Sequence, residues 1–153
     1  MIQKIFVYGT LRTGGYFSRV LPTAKSIVLQ TLTGIRMYTL GAFPCVIITG
    51  EDTDYVLGEL RDYTNLLEDE WTALIKELDR IENVSSGLYK RETINTKLGE
   101  AVIYVANREA WFDREMKVHS EHNRMFRMIH DWADEDLHIK RNIDGTKIIK
   151  AGK

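Results

Sequence analysis

Two places in this sequence hold residue types whose pattern could do chemistry. The first is Glu82. It closes a stretch in which Leu67, Trp71, Leu74, Leu78 and Ile81 recur at spacings of 4, 3, 4 and 3, the stripe of an amphipathic helix. At ~100° per residue, with Leu67 at zero, Leu78 falls at about 20°, Trp71 at about 40°, Ile75 at about 80° and Glu82 at about 60°. Glu82 thus points along the apolar face, whereas Asp69, Glu77 and Asp79 fall outside it. Burial disfavours a carboxylate, and the partial negative charge at a helix C-terminus disfavours it further. Both raise the pKa towards neutrality, where a carboxyl accepts and returns a proton. If the helix ends one residue earlier, Glu82 instead reaches solvent, and the periodicity leaves both arrangements open.

The second place is Tyr8-Gly9-Thr10-Leu11-Arg12, which follows a β-branched and aromatic run from Ile2. A strand that ends in Gly lets the backbone turn and present successive N–H groups to a ligand. Such a turn could hold a carboxylate or form an oxyanion hole without a charged side chain. Arg12 could pair with an acid or serve the fold alone. The Gly-Lys-Ser/Thr ending of a phosphate-binding loop is absent.

These positions need elements to hold them. Residues 2–8 read as a strand, and GTLRTGG after it, with three glycines in seven residues, reads as a loop. Residues 26–37 read as a strand bent at Gly34. Residues 45–49 and 55–60 read as two strands joined in a hairpin by the polar GEDTD. Asn65 is expected to cap the helix, with Glu68 completing a capping box. Residues 83–87 (NVSSG) end it, and 88–96 and 101–105 are two more strands. Beyond Asn107 charge becomes dense, and residues 108–139 are expected to be helices packed on the core. The end, from Lys140, reads as a weak strand or a solvated tail.

The chain has 153 residues with 44% hydrophobic and 28% charged, which favours one domain with a core of its own. A net charge of −1 provides no strong field to draw in nucleic acid or membrane. The single Cys45 forms no internal disulfide, and no run approaches the ~20 apolar residues of a spanning helix. The N-terminal apolar run is shorter than a signal peptide requires. A soluble cytoplasmic protein with no nucleic-acid or membrane partner is the expectation.

Other constellations carry less. His119 and His122, with His130 and Asp131 nearby, lack the spacing of a zinc signature, so no metal site is expected. Cys45, in FPCVII, reads as a small buried hydrophobe. Trp111, Phe112, Met125, Met128 and Trp132 read as helix-packing residues. The basic end, with Lys140, Arg141, Lys147, Lys150 and Lys153, lacks the interleaved aromatics of a nucleic-acid surface.

Taken together, FVYGTLR, GAFPCVI, VLGEL, and LDRIE followed by LYKRE resemble the gamma-glutamylcyclotransferase-like family, from about Lys4 to Val105. The resemblance implies an α+β fold, a compact mixed β-barrel with packed helices, over residues 1–107. Residues 108–153 would be a helical C-terminal extension packed on it. It implies that Tyr8, Gly9, Thr10 and Leu11 form the substrate-binding loop. It also selects Glu82, which follows the Leu78-Asp79 pair after two intervening residues, as the catalytic acid–base. Tyr89 and Arg91 match the family's Tyr-x-Arg and would support the site. The implied activity is release of 5-oxoproline from a gamma-glutamyl amine, amino acid or peptide, without metal or cofactor. A non-catalytic binding protein on the same fold is the alternative. Two departures stand out. Asn83 follows Glu82 where many relatives carry Gly, and GGYFSRVL lacks an Asn that relatives often place there.

Overall fold

A computed structural model describes residues 1–39, 44–107 and 127–132. Eight strands and one α-helix occupy them: β1 (Lys4–Val7), β2 (Ser26–Thr33), β3 (Ile35–Thr39), β4 (Pro44–Ile48), β5 (Tyr55–Asp62), α1 (Glu68–Ile81), β6 (Tyr89–Thr96), β7 (Gly99–Ala106) and β8 (Arg127–Ile129). They form a five-stranded sheet in the order β2-β5-β1-β7-β6 and a three-stranded sheet in the order β4-β3-β8. Every pairing is antiparallel except β1 with β7.

The fold is mixed α+β, as expected, but no closed barrel forms among the described residues. β2 and β6 are the outer strands of the larger sheet and do not pair with each other. The arrangement is instead layered. Alternation along β1 divides its side chains, as the pleat requires. Ile5 and Val7 face α1 and pack with Trp71, Leu74 and Leu78. Phe6 and Tyr8 face the smaller sheet and pack with Ile35, Met37, Val46 and Ile129. Close packing in this second layer explains Gly58 on β5. A Cβ there would sit 2.5 Å from the Phe6 ring and 2.7 Å from the Val7 carbonyl oxygen.

The expected hairpin between residues 45–49 and 55–60 does not form. β4 pairs with β3 and β5 pairs with β2, so the two strands lie in different sheets. Residues 26–39 and 44–62 make one long two-stranded ribbon that bends where it passes between sheets. Gly34, at φ 80°, is the bend on one arm. GEDTD supplies the slack on the other, and Asp54 locks it. The Asp54 carboxylate accepts from Arg36 Nε at 3.0 Å, Arg36 Nη2 at 3.1 Å and Thr49 Oγ1 at 2.8 Å. These donors hold its pKa below the ordinary value.

The helix starts later than its predicted cap. Leu67 occupies the capping position, and its N–H donates to Glu70 Oε1 at 2.8 Å. Asn65 donates to the Thr23 carbonyl instead. In the expected C-terminal extension, residues 127–129 are a strand rather than helix, because β8 completes the smaller sheet beside β3. His130 to Trp132 follow β8, with Asp131 bridging to Leu57, and the remaining residues of that expectation lie outside those described.

Candidate active site

Glu82 follows the last residue of α1, and its N–H still donates to the Leu78 carbonyl at 2.9 Å. Asn83 then turns left-handed, at φ 52°. Two bonds close the helix: Asn83 N–H to Arg80 O at 3.2 Å and Val84 N–H to Asp79 O at 3.0 Å. This is a Schellman ending, whose left-handed position takes Gly at no steric cost and Asn at little. The Asn83 departure noted above is therefore a residue suited to the same backbone. Asn83→Val is expected to lower stability by about 1–2 kcal/mol in denaturant unfolding, whereas Asn83→Gly leaves it nearly unchanged.

Held by this ending, Glu82 is half-buried and lines a cavity of about 450 Å³. Its side chain has no hydrogen-bond partner among the described residues. With its carboxyl set among protein atoms, desolvation pushes the pKa up to about 7.

The opposite wall is the turn after β1. Arg12 N–H donates to Gly9 O at 3.0 Å, Gly15 N–H to Arg12 O at 2.7 Å, and Phe17 N–H to Thr10 O at 2.9 Å. These bonds fold residues 9–17 into successive tight turns. They leave the N–H groups of Gly9, Thr10 and Leu11 without a protein acceptor among the described residues. All three residues line the cavity. Gly9 is required by close approach rather than by its φ, since a Cβ there would lie 2.6 Å from Pro44 Cγ.

Two ion pairs, one part-buried and one buried, pin the outer side of the turn. Arg12 Nη1 meets Asp131 Oδ1 at 2.7 Å. Glu59 Oε1 accepts from Thr13 N–H at 3.0 Å and from Arg61 Nη2 at 3.2 Å. Asp131 arrives on the segment after β8, which also carries Trp132 into the cavity wall. His130 stacks on Tyr55, with ring centroids 4.0 Å apart, and its Nδ1 lies 2.9 Å from the Tyr55 carbonyl oxygen. No cluster of metal-ligating side chains occurs among the described residues; His119 and His122 lie outside them.

Tyr8, Gly9, Thr10, Leu11, Glu82 and Tyr89 thus share one cavity. The Tyr8 hydroxyl donates to the Tyr104 carbonyl at 2.6 Å and the Tyr89 hydroxyl to the Pro44 carbonyl at 2.8 Å, so neither donates to Glu82. Burial raises both phenols well above their ordinary pKa, so they stay protonated beside the acid. Arg91 does not line this cavity. It pairs with Asp79 at 2.5 Å on the outer side of α1, and Asp79 accepts from the Tyr104 hydroxyl at 2.7 Å. Arg91 therefore reaches the site only through Asp79 and Tyr104. Cys45 is fully buried, with its thiol pKa pushed up to about 12 by desolvation, which suits an inert packing residue.

Sequence reasoning missed Gly15, Tyr16, Phe17, Tyr104 and Trp132 as parts of this wall. Two adjacent aromatics directly after a Gly-Gly pair were the available signal for Tyr16 and Phe17. Trp132 had none, because its position depends on β8 pairing across the chain.

Residues 5–133 match the sequence profile of the family described as gamma-glutamyl cyclotransferase, AIG2-like. A Vibrio cholerae protein, provisionally named a gamma-glutamylcyclotransferase, is 35% identical over 106 residues, covering 69% of this chain and 83% of its own. The ytfP protein of Citrobacter rodentium, named a gamma-glutamylcyclotransferase family protein, is 30% identical over 123 residues, covering 74% and 98%. Among solved structures, PH0828 of Pyrococcus horikoshii superposes with a TM-score of 0.53 at 21% identity, covering 80% of this chain and 98% of that one. That likeness concerns the fold alone. The profile match runs past the motifs to residue 133 and takes in β1, the glycine turn, Glu82 and β8: the chain belongs to the gamma-glutamyl cyclotransferase, AIG2-like family.

Proposed function

We propose that this chain is a gamma-glutamylcyclotransferase-type enzyme that releases 5-oxoproline from a gamma-glutamyl amine, amino acid or peptide. The observation that carries the reading is the cavity lined by Glu82 and by residues 9–11, whose N–H groups have no protein acceptor among the described residues. In the reaction, the substrate's own α-amine attacks its γ-carbonyl carbon. A C–N bond forms to close the five-membered lactam, and the C–N bond to the γ-linked amine breaks. The nucleophile is already tethered, so the site mainly has to hold it in attack geometry. Glu82 takes the proton that the α-ammonium must lose and returns it to the departing amine. N–H groups of the turn bind the α-carboxylate or the developing oxyanion. The step balances without a redox partner or a metal.

The test is to incubate the protein with gamma-glutamyl amines, amino acids and peptides and to measure 5-oxoproline. Formation from at least one class supports the reading. No product across the panel, with tight binding of one compound, would replace it with a non-catalytic ligand-binding role for the same cavity.

The raised pKa of Glu82 makes a second expectation. Below pH 7 the carboxyl is protonated and unable to act as base; above it the carboxylate is present. The acid limb of kcat/KM is therefore expected to rise with pH and to turn over near pH 7, rather than near the ordinary carboxylate range around 4. A pH–rate profile that is flat from pH 5 to 8 would remove Glu82 from the proton transfer.

A further inference from the structure

We infer that the leaving-group side of this site is built for an aryl-bearing amine, an inference that rests on the cyclisation proposed above. Tyr16 is 85% exposed, and Phe17 is about a third exposed at 36%. Both line the cavity that holds Glu82. Their rings pack edge to face, with centroids 4.8 Å apart and planes at 85°. The backbone beneath them is fixed by the Phe17 N–H bond to Thr10 and the Ser18 N–H bond to Gly15. The two rings are therefore held at the mouth on a braced turn, with most of the Tyr16 surface in water.

A cavity of about 450 Å³ is of the size that takes a drug-sized molecule, which leaves room beyond a gamma-glutamyl group for a substantial second half. The charge around it favours one kind of second half. Among the described lining residues Glu82 is the only carboxylate, and none is Lys, Arg or His. A leaving group with its own carboxylate, such as an α-amino acid, would meet a like charge and no described cation. A leaving amine with a flat apolar body would lie against Tyr16 and Phe17 and depart as a cation beside Glu82. Aromatic pairs add attraction beyond the area they bury.

The experiment compares gamma-glutamyl benzylamide, gamma-glutamyl methylamide and gamma-glutamyl alanine by 5-oxoproline release. The benzylamide is expected to exceed the methylamide in kcat/KM by about tenfold, with the alanine compound the poorest. Tyr16→Ala, at an exposed position, is expected to bring the benzylamide-to-methylamide ratio close to one, and Tyr16→Phe to preserve it. Equal kcat/KM for benzylamide and methylamide, a ratio untouched by Tyr16→Ala, or alanine as the best leaving group would each overturn the inference while leaving the cyclisation intact. Absence of 5-oxoproline from all three compounds would overturn this inference, and absence from the gamma-glutamyl peptides of the panel above as well would overturn the cyclisation with it.

Discussion

Glu82→Gln is expected to lower cyclisation by about 10²–10⁴-fold, the usual range for removing a general acid–base, and at the same time to make the protein more stable at pH 8. The two effects have one cause. Gln keeps the shape of the side chain and removes its ability to exchange a proton. It also removes a carboxylate that the fold must ionise in a poorly solvated place. Unfolded, a glutamate ionises in the ordinary range; folded, Glu82 ionises at about 7. Between those values the native state holds a proton that the unfolded state has released, so stability falls as pH rises through the window and stays low above it.

At about 1.4 kcal/mol per pKa unit the full gap corresponds to about 3 kcal/mol. The carboxyl faces a cavity open to solvent, which screens part of this, so a gain of about 1–3 kcal/mol at pH 8 is expected for the variant. In a chain of this size that raises the melting temperature by roughly 3–10 °C. At pH 3, where Glu82 is protonated in both states, wild type and variant should melt together. Thermal unfolding at both pH values, run beside the 5-oxoproline assay, checks the pair of outcomes. An inactive variant with no stability gain at pH 8 would mean that the carboxylate is well solvated in the fold, while its proton-transfer role would stand. A variant that keeps near wild-type turnover would remove Glu82 from the chemistry altogether.

Much of this site was legible because it depends on local periodicity. The stripe from Trp71 to Leu78 gave the helix its buried face, and the same spacing aims Glu82 at the core if the helix turn carries through it, which periodicity alone left open. β1 and its glycine turn are likewise local: a short apolar run, then a residue without a side chain. What stayed hidden depends on partners far along the chain. GEDTD has the composition of a hairpin turn, but Arg36 claims Asp54 from the neighbouring arm, and the segment becomes the slack in a longer ribbon. Met128 and Ile129 sit in a charged stretch with helical spacing, yet β8 forms because β3 offers a free edge. Arg12 was open between pairing with an acid and serving the fold alone, and the acid, Asp131, comes from far along the chain. Trp132 follows from these long-range contacts, so no window of sequence around Glu82 could have named it.

Gly15→Ala is expected to cost about 100-fold in kcat/KM. Gly15 has neither a ligand role nor a left-handed φ; its constraint is space. A Cβ there would fall on the Thr10 carbonyl oxygen, with the Thr10 carbonyl carbon at 2.7 Å and the Arg12 oxygen at 2.9 Å. All three are backbone atoms, so no side chain can swing aside. The turn must open, and opening it breaks the Gly15–Arg12 and Phe17–Thr10 bonds that set the N–H groups of residues 9–11. A displacement of about 1 Å in groups that position a substrate suffices for a loss of that order, and the strain itself should lower stability by about 1–3 kcal/mol. Gly14→Ala is the matched comparison. Gly14 sits at φ 80°, and a Cβ added there would meet nothing within 4 Å, so its alanine meets left-handed backbone strain of about 1 kcal/mol and no collision. Its kcat/KM should fall far less than that of Gly15→Ala, while both lose stability in denaturant unfolding. If Gly15→Ala instead turns over like wild type, the turn can open without consequence, and the N–H groups of residues 9–11 hold nothing that the reaction needs.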